Sequence, residues 1–316
     1  MLIPRIVGIV QANSTLPPPP AELRQQALQV LQLTRPAEKC QATHRLVADW
    51  AAGGLTLEPG IAIAPPQCTT LPGRPERPHL IDPADVPTRS PFTVEGRAAL
   101  LHAVCHIEFN AINLALDAIW RFADMPARFY ADWLQVAGEE AQHFELLHAL
   151  LLQLRPQGKP QRGQGSAPAT PASDSPHWQY GSLDAHDGLW SMCEKTAHDI
   201  TARMALVPRT MEARGLDATP LIQNKLRQVA AQQKAPDAQA ICDALDIILR
   251  DEVGHVAIGN HWYGWLCAQQ ALDPVAHYRQ LAKTHAAPRL KPPFNDDARR
   301  RAGFTEVELA YLLTAE

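Results

Sequence analysis

Between residues 93 and 272 the apolar positions recur at alternating three- and four-residue steps, the seam of α-helices packed side by side. The first run extends from Val94 to Phe122. Its inward stripe is Leu101, Val104, Glu108, Ala111, Ala115, Ala118 and Phe122, with Glu108 the one charge on it. The second extends from Pro126 to Leu154 with the stripe Phe129, Trp133, Val136, Glu140, His143, Leu147 and Leu150. Asp124 is the expected N-cap of that helix, with Pro126 inside its first turn. The third begins near 185–187 and runs to Arg214, closed by Gly215. Pro208 inside it removes a backbone donor and crowds the preceding turn, which predicts a kink or bulge just before Glu212. A further helical stretch covers 219–233. The fourth long helix covers 237–272 on Ile241, Leu245, Ile248, Glu252, His255 and Gly259.

The flanks read differently. Residues 13–20 end in four prolines, a stiff lead-in. Two helices follow, 21–33 and 37–52, the second stopped by Gly53-Gly54. Residues 55–92 hold nine prolines and few periodic apolar positions, and read as an extended strap over a core built elsewhere. Residues 155–179 are a low-complexity crossover rich in Pro, Gly, Ser and Gln. The tail carries a helix near 274–284, a Pro-rich turn at 290–295 and a last helix opened by a capping box, Thr305 with Glu308. The expected fold is all-α. Residues 1–92 are N-terminal helices and strap, 93–272 an antiparallel four-helix bundle with a long crossover, and 273–316 a helical tail.

Composition narrows the function classes only a little. A net charge of −4 gives no global reason to expect nucleic acid or an anionic membrane as partner. Six cysteines without Cys-x-x-Cys spacing in 316 residues point to a reducing cytoplasm rather than a disulfide scaffold. Residues 1–12, broken by Pro4 and Arg5, do not read as a leader, and no apolar run has the length of a membrane span.

The chemistry sits in two stretches: Glu139-Glu140-Ala141-Gln142-His143 and Asp251-Glu252-Val253-Gly254-His255. Glu and His three apart share one helix face. Antiparallel packing about Asp124 puts Glu108 and Glu140, each 16 residues from it, at one level, about 24 Å from the turn. In the second half Glu212 is preferred to Glu194. Its level then demands a helix break at Gly215–Pro220 and a turn near 234. The set Glu108, Glu140, His143, Glu212, Glu252 and His255 is that of a di-metal carboxylate bundle, with two ions of iron, manganese or one of each. Glu139 and Glu145 read as solvated or as neighbours of ligands. His102, His106, His148 and His198 read as packing, ligand-supporting or surface residues. Asp199 and Arg203, four apart, read as an ion pair.

On these stretches the chain resembles an uncharacterised bacterial ferritin-like family, the domain of unknown function 455. His102–Glu108, Gly138–Phe144, Met211–Asp217 and Asp251–Val256 carry the likeness. So do Tyr180-Gly181, His186–Trp190, Pro293–Asn295 and Ala302–Phe304. The resemblance implies a ferritin-like fold, supports Glu212 over Glu194, and brings no known substrate. The family is distantly similar to ferritin-like tRNA-modifying monooxygenases, a likeness of fold alone.

Three functions fit. The first is an O2- or peroxide-using oxidoreductase acting on an unidentified small molecule, its centre kept dry by Trp133, Val136 and Ile248. The second is a ferroxidase or other iron-handling or oxidant-scavenging protein. The third is a non-enzymatic helical binding protein stapled by metal. A substrate-sized pocket on the metals would favour the first, and a closed site with an acidic ion path the second. The cluster Arg289, Lys291, Arg299, Arg300 and Arg301 is the one candidate contact for nucleic acid, and a solvated surface is the preferred reading of it.

Overall fold

A computed structural model of the chain describes residues 21–67, 70–155 and 178–314, and within these the protein is mostly helical. Two residues at the start, β1 (Ala21–Glu22), pair in parallel with β2 (Leu55–Thr56). Helices α1 (Leu23–Leu31) and α2 (Pro36–Ala51) follow the predicted bounds closely. Two buried cations tie them down. Arg24 of α1 donates to the carbonyls of Ile119 and Trp120 and to those of Pro59 and Ile61 in the 55–92 segment. Lys39 of α2 donates to the carbonyls of Leu31 and Gly73 and to Asn113 Oδ1 at 2.5 Å. Gly73 has no room for a side chain, since a Cβ there would lie 2.0 Å from the Gln32 carbonyl oxygen. Backbone polar groups of the strap are thus satisfied by the helices beneath it.

Helices α3 (Val94–Arg121) and α4 (Ala127–Gln153) form an antiparallel pair. Thr93 caps α3 by accepting from the Gly96 amide. The expected cap of α4 is displaced: Pro126 itself holds the N-cap position, and Asp124 sits in the left-handed region at φ 59°, its amide bonded to the Pro59 carbonyl. Asp124 thus turns the chain through its backbone and does not cap the helix. Helix α3 is long and apolar enough to cross a membrane, yet most of it is buried in the protein, together with Glu108, Asn110, Asn113 and Asp117. The crossover expected at 155–179 falls, for residues 156–177, outside the described residues.

The third helix departs from expectation. It is α5 (Gly188–Lys195), a break, α6 (Ile200–Leu206), a π-helical segment (Val207–Glu212) and α7 (Ala213–Gln233). The break at 196–199 is made by short polar side chains that satisfy the backbone locally. Thr196 Oγ1 donates to the Met192 carbonyl, and Asp199 caps α6 by accepting from the Thr201 and Ala202 amides. The predicted Asp199–Arg203 pair is therefore not made. Arg203 turns inward to the buried Asp117 at 2.5 Å and to the Cys193 carbonyl.

The irregularity announced by Pro208 is the π segment. Pro208 supplies no amide, so the ladder re-forms with longer reach: Thr210 Oγ1 donates to the Ala205 carbonyl and the Ala213 amide to the Pro208 carbonyl, both five residues back. The break expected at Gly215–Pro220 does not occur. Helix α7 runs unbroken through both residues, and Pro220 is accommodated inside it. Gly259 of α8 (Pro236–Gln269) makes the π segment possible, because a Cβ there would lie 2.5 Å from Pro208 Cβ. The turn between α7 and α8 is at Lys234, in the left-handed region, as the spacing predicts. Helix α8 packs on α7, on the π segment and on α4, and so joins the two pairs.

The tail holds α9 (Pro274–Thr284), α10 (Asp296–Arg301), which the sequence pattern missed, and α11 (Glu306–Thr314). The capping box is formed: the Thr305 amide donates to Glu308 Oε2 at 2.8 Å. Glu308 also grips Arg209 of the π segment, and Arg299 of α10 is paired with Asp217 of α7 at 2.6 Å. The tail thereby braces the stretch that carries Glu212.

Candidate metal centre

The two Glu-x-x-His motifs face each other across α4 and α8. Glu140 lies between the two histidines: its Oε2 is 3.4 Å from His143 Nδ1 and its Oε1 is 2.9 Å from His255 Nδ1. Glu108 of α3 approaches His143 Nδ1 at 3.4 Å, and Glu252 approaches His255 Nδ1 at 3.5 Å. The rings are 5.7 Å apart between centroids. One donor atom from each of Glu108, Glu140, His143 and Glu252 lies within 4.8 Å of the other three, a group that can hold a metal ion. Glu212 stands outside that foursome, buried at the end of the π segment.

Each histidine is oriented by the residue before the glutamate of the other motif. His255 Nε2 donates to Glu139 Oε2 at 2.7 Å, and His143 Nε2 donates to Asp251 Oδ2 at 3.2 Å. A proton on Nε2 leaves Nδ1 with a bare lone pair, and on both rings Nδ1 faces carboxylate oxygens. Lone pairs directed at lone pairs repel unless a cation stands between them. Among the buried side-chain atoms with no hydrogen-bond partner are seven from this site: Glu108 Oε2, both oxygens of Glu140 and of Glu212, and Nδ1 of His143 and of His255. The short histidine–carboxylate distances are thus approaches without hydrogen-bond geometry, and the donor set fits a metal on chemical grounds.

Without metal, protons take the cation's place. Burial opposes a charge on His143, but Glu108 and Glu140 outweigh it and push the ring up to about 11. Burial opposes it on His255 as well, and Glu140 with Glu139 raises that ring well above its ordinary value. Glu140, despite burial, is held well below the carboxylate range by His255 and His143. Burial and then Glu140 raise Glu108, while burial and then Glu252 raise Glu212. Glu252 is raised by burial and by Glu140.

A cavity of about 610 Å³ opens onto the centre, with Glu108, Glu212 and Glu252 in its lining. Its walls come from α3, α7, α8 and the 289–293 connection. Trp133 and Val136 are fully buried and Ile248 nearly so.

The six residues singled out from the sequence all come to this one region, whereas Glu194 is exposed and accepts from Trp190 Nε1. Asp251 was missed as a functional residue, although its place one before Glu252, like Glu139 before Glu140, was visible in the motifs. The cavity was not foreseeable, because no local pattern marks it. His102 and His106 pack around Tyr180: His102 Nε2 accepts from the Gly181 amide, and His106 Nδ1 lies 2.8 Å from Tyr180 Oη. The basic cluster is dispersed. Arg299 is buried and paired, Arg300 bonds Glu306, and Arg289 and Lys291 line the cavity.

The chain matches the family described as "Protein of unknown function (DUF455)" over residues 32–157 and 175–310. It is 42% identical over 301 residues to an uncharacterized protein of Haemophilus influenzae, covering 92% of this chain and 94% of that one. No solved structure matches it.

Proposed function

The chain belongs to the DUF455 family of proteins of unknown function, and we propose that it is a di-metal carboxylate oxidoreductase that uses O2 or peroxide on a small organic molecule. The observation that carries this reading is the cavity of about 610 Å³ directly over Glu108, Glu212 and Glu252, within the range of small-molecule sites, roughly 300–1,000 Å³. In this reading the described helices within 93–272 form a ferritin-like four-helix bundle, the described residues before 93 brace one side and the described residues after 272 brace the π segment. Glu140, with an oxygen toward each histidine, would hold the ions together with Glu108, His143, Glu212, Glu252 and His255. Such a pair, of iron, manganese or one of each, supplies Lewis acidity and redox chemistry when bound.

The side chains have separate tasks. Asp251 and Glu139 keep Nδ1 of each ring free to act as a ligand by holding the proton on Nε2. Glu212, unpartnered on the cavity side, is the carboxylate able to move as a substrate enters. Trp133, Val136 and Ile248 exclude water from the centre. Among the described residues, five buried free cysteines suit a reducing cytoplasm. A ferroxidase would need an acidic path for incoming cations, whereas this cavity has apolar walls and cations among its exposed lining, which favours the first reading.

Metal analysis after anaerobic iron loading, followed by absorption spectroscopy on exposure to oxygen, tests the proposal. About two metal ions per chain are expected. Fewer than about one, or a loaded protein whose spectrum does not change with oxygen, would end it.

A further inference from the structure

The cavity is lined by three chemistries. Glu108, Glu212 and Glu252 face it from the centre. Ile107 from α3, Leu221 and Ile222 from α7, and Leu245 and Ile248 from α8 give it apolar walls. Ile107 and Leu221 are 47% and 45% exposed, among the most exposed large apolar side chains of the described residues, and both face this space. Their exposed surface marks a place where an apolar ligand gains by displacing water. The third component is cationic: Arg214 from α7 with Arg289 and Lys291 from the connection before α10, all three exposed.

These cations make no close ion pair with the acids of the lining. Asp217, the nearby acid in the lining, is engaged by Arg299 at 2.6 Å and by the Asn295 amide at 2.9 Å. Among the described residues no ion pair engages Arg214, Arg289 or Lys291. A protein of net charge −4 has placed three unpaired cations around an apolar cavity whose deepest groups are carboxylates. An anion is attracted to the cations and repelled by the carboxylates, whereas an apolar chain is favoured along the walls.

We propose that the cavity takes a small organic acid with an apolar body, its carboxylate or phosphate group at Arg214, Arg289 and Lys291 and its body along Ile107, Leu221 and Ile248 toward the centre. The inference rests on the reading of the carboxylate–histidine cluster as a catalytic centre. It also orients the substrate: the atom presented to the metals is a carbon remote from the acid group.

Calorimetric titration of the iron-loaded full chain with octanoate, octyl phosphate, octanol and octylammonium tests it. At least one of the two anions is expected to bind about tenfold or more tightly than octanol, with octylammonium weakest. The preference between octanoate and octyl phosphate identifies the acid group. Arg289→Ala/Lys291→Ala, two exposed changes, should weaken the preferred anion by about fivefold or more and leave octanol unchanged. Equal binding of octanol and both anions, or anion binding untouched in the double variant, overturns the proposal. So does displacement of the bound anion by a short oligoribonucleotide, which would assign the cations to nucleic-acid phosphate. Counting metal in the same samples separates the two readings. Charge-selective binding with less than about one metal per chain removes only the di-metal reading, and two metals without charge selectivity remove only this one.

Discussion

The α3–α4 pair and the pair built from α6, the π segment, α7 and α8 bring the same residue types to the centre by different means. In the first, two unbroken helices joined by a short turn set Glu108 and Glu140 at one level, and Glu108 joins the compact donor group. In the second, Glu212 rides on a π segment that α8 admits only through Gly259 and that the tail grips at Arg209. Glu212 then stands outside the compact group and faces the cavity. The regular half fixes donors, and the irregular half leaves one carboxylate unpartnered where a ligand can reach it. Irregular helix of this kind is commonly found at working sites.

The largest test of this division is Glu140→Ala. Glu140 alone addresses both histidines, so its loss should lower metal affinity by about 100-fold or more, measured by competition with a chelator. Glu194→Ala, on an exposed side chain in the same half as Glu212, should leave metal content unchanged. Asp251→Ala comes next. It lies in the second pair but orients His143 of the first, and a loss of about 10–100-fold is expected. An effect confined to the metal position of its own pair would break the reciprocal arrangement.

Gly259→Ala forces a methyl group against Pro208 and should cost about 2 kcal/mol in denaturant unfolding. The same change should shift the absorption of the loaded protein if Glu212 is a ligand. Unchanged stability would mean that the π segment is not locked by that close approach.

The smallest effect is expected from pH, and it belongs to the first pair. Burial first of all lowers His102 to about 4 and His106 to about 3, from 6.5. Their folded values lie below the unfolded one, so the unfolded chain takes up these protons first. Their contribution to stability is complete above about pH 6.5 and should fall by about 1 kcal/mol or more toward pH 4, seen as a midpoint that declines relative to that of a variant lacking both rings. His102→Asn/His106→Gln should flatten that decline.

Much of this was legible in the residues. The three- and four-residue steps placed α3, α4 and α8 within a few positions, and the capping box at Thr305 opened α11. Five of the six candidate donors, all but Glu212, stood on those stripes, and Pro208 announced an irregularity in the correct turn. The expected break at Gly215–Pro220 was wrong because level arithmetic treats helices as parallel rods. Asp199 was misread as a partner of Arg203 because its claim on the α6 amides and the reach of Arg203 to Asp117 depend on the break at 196–199.

The sequence by itself determined which residue types lie on inward faces, because helix periodicity fixes azimuth and rise along a single chain. Only the tertiary structure decided that Glu140 stands between the two histidines, that Asp251 and Glu139 reach across to the opposite motif, and that Arg289 and Lys291 meet Arg214 around one cavity. Those outcomes depend on the rotation and register of one helix against another, set by non-local fits such as Pro208 against Gly259, and no pattern within either helix encodes them.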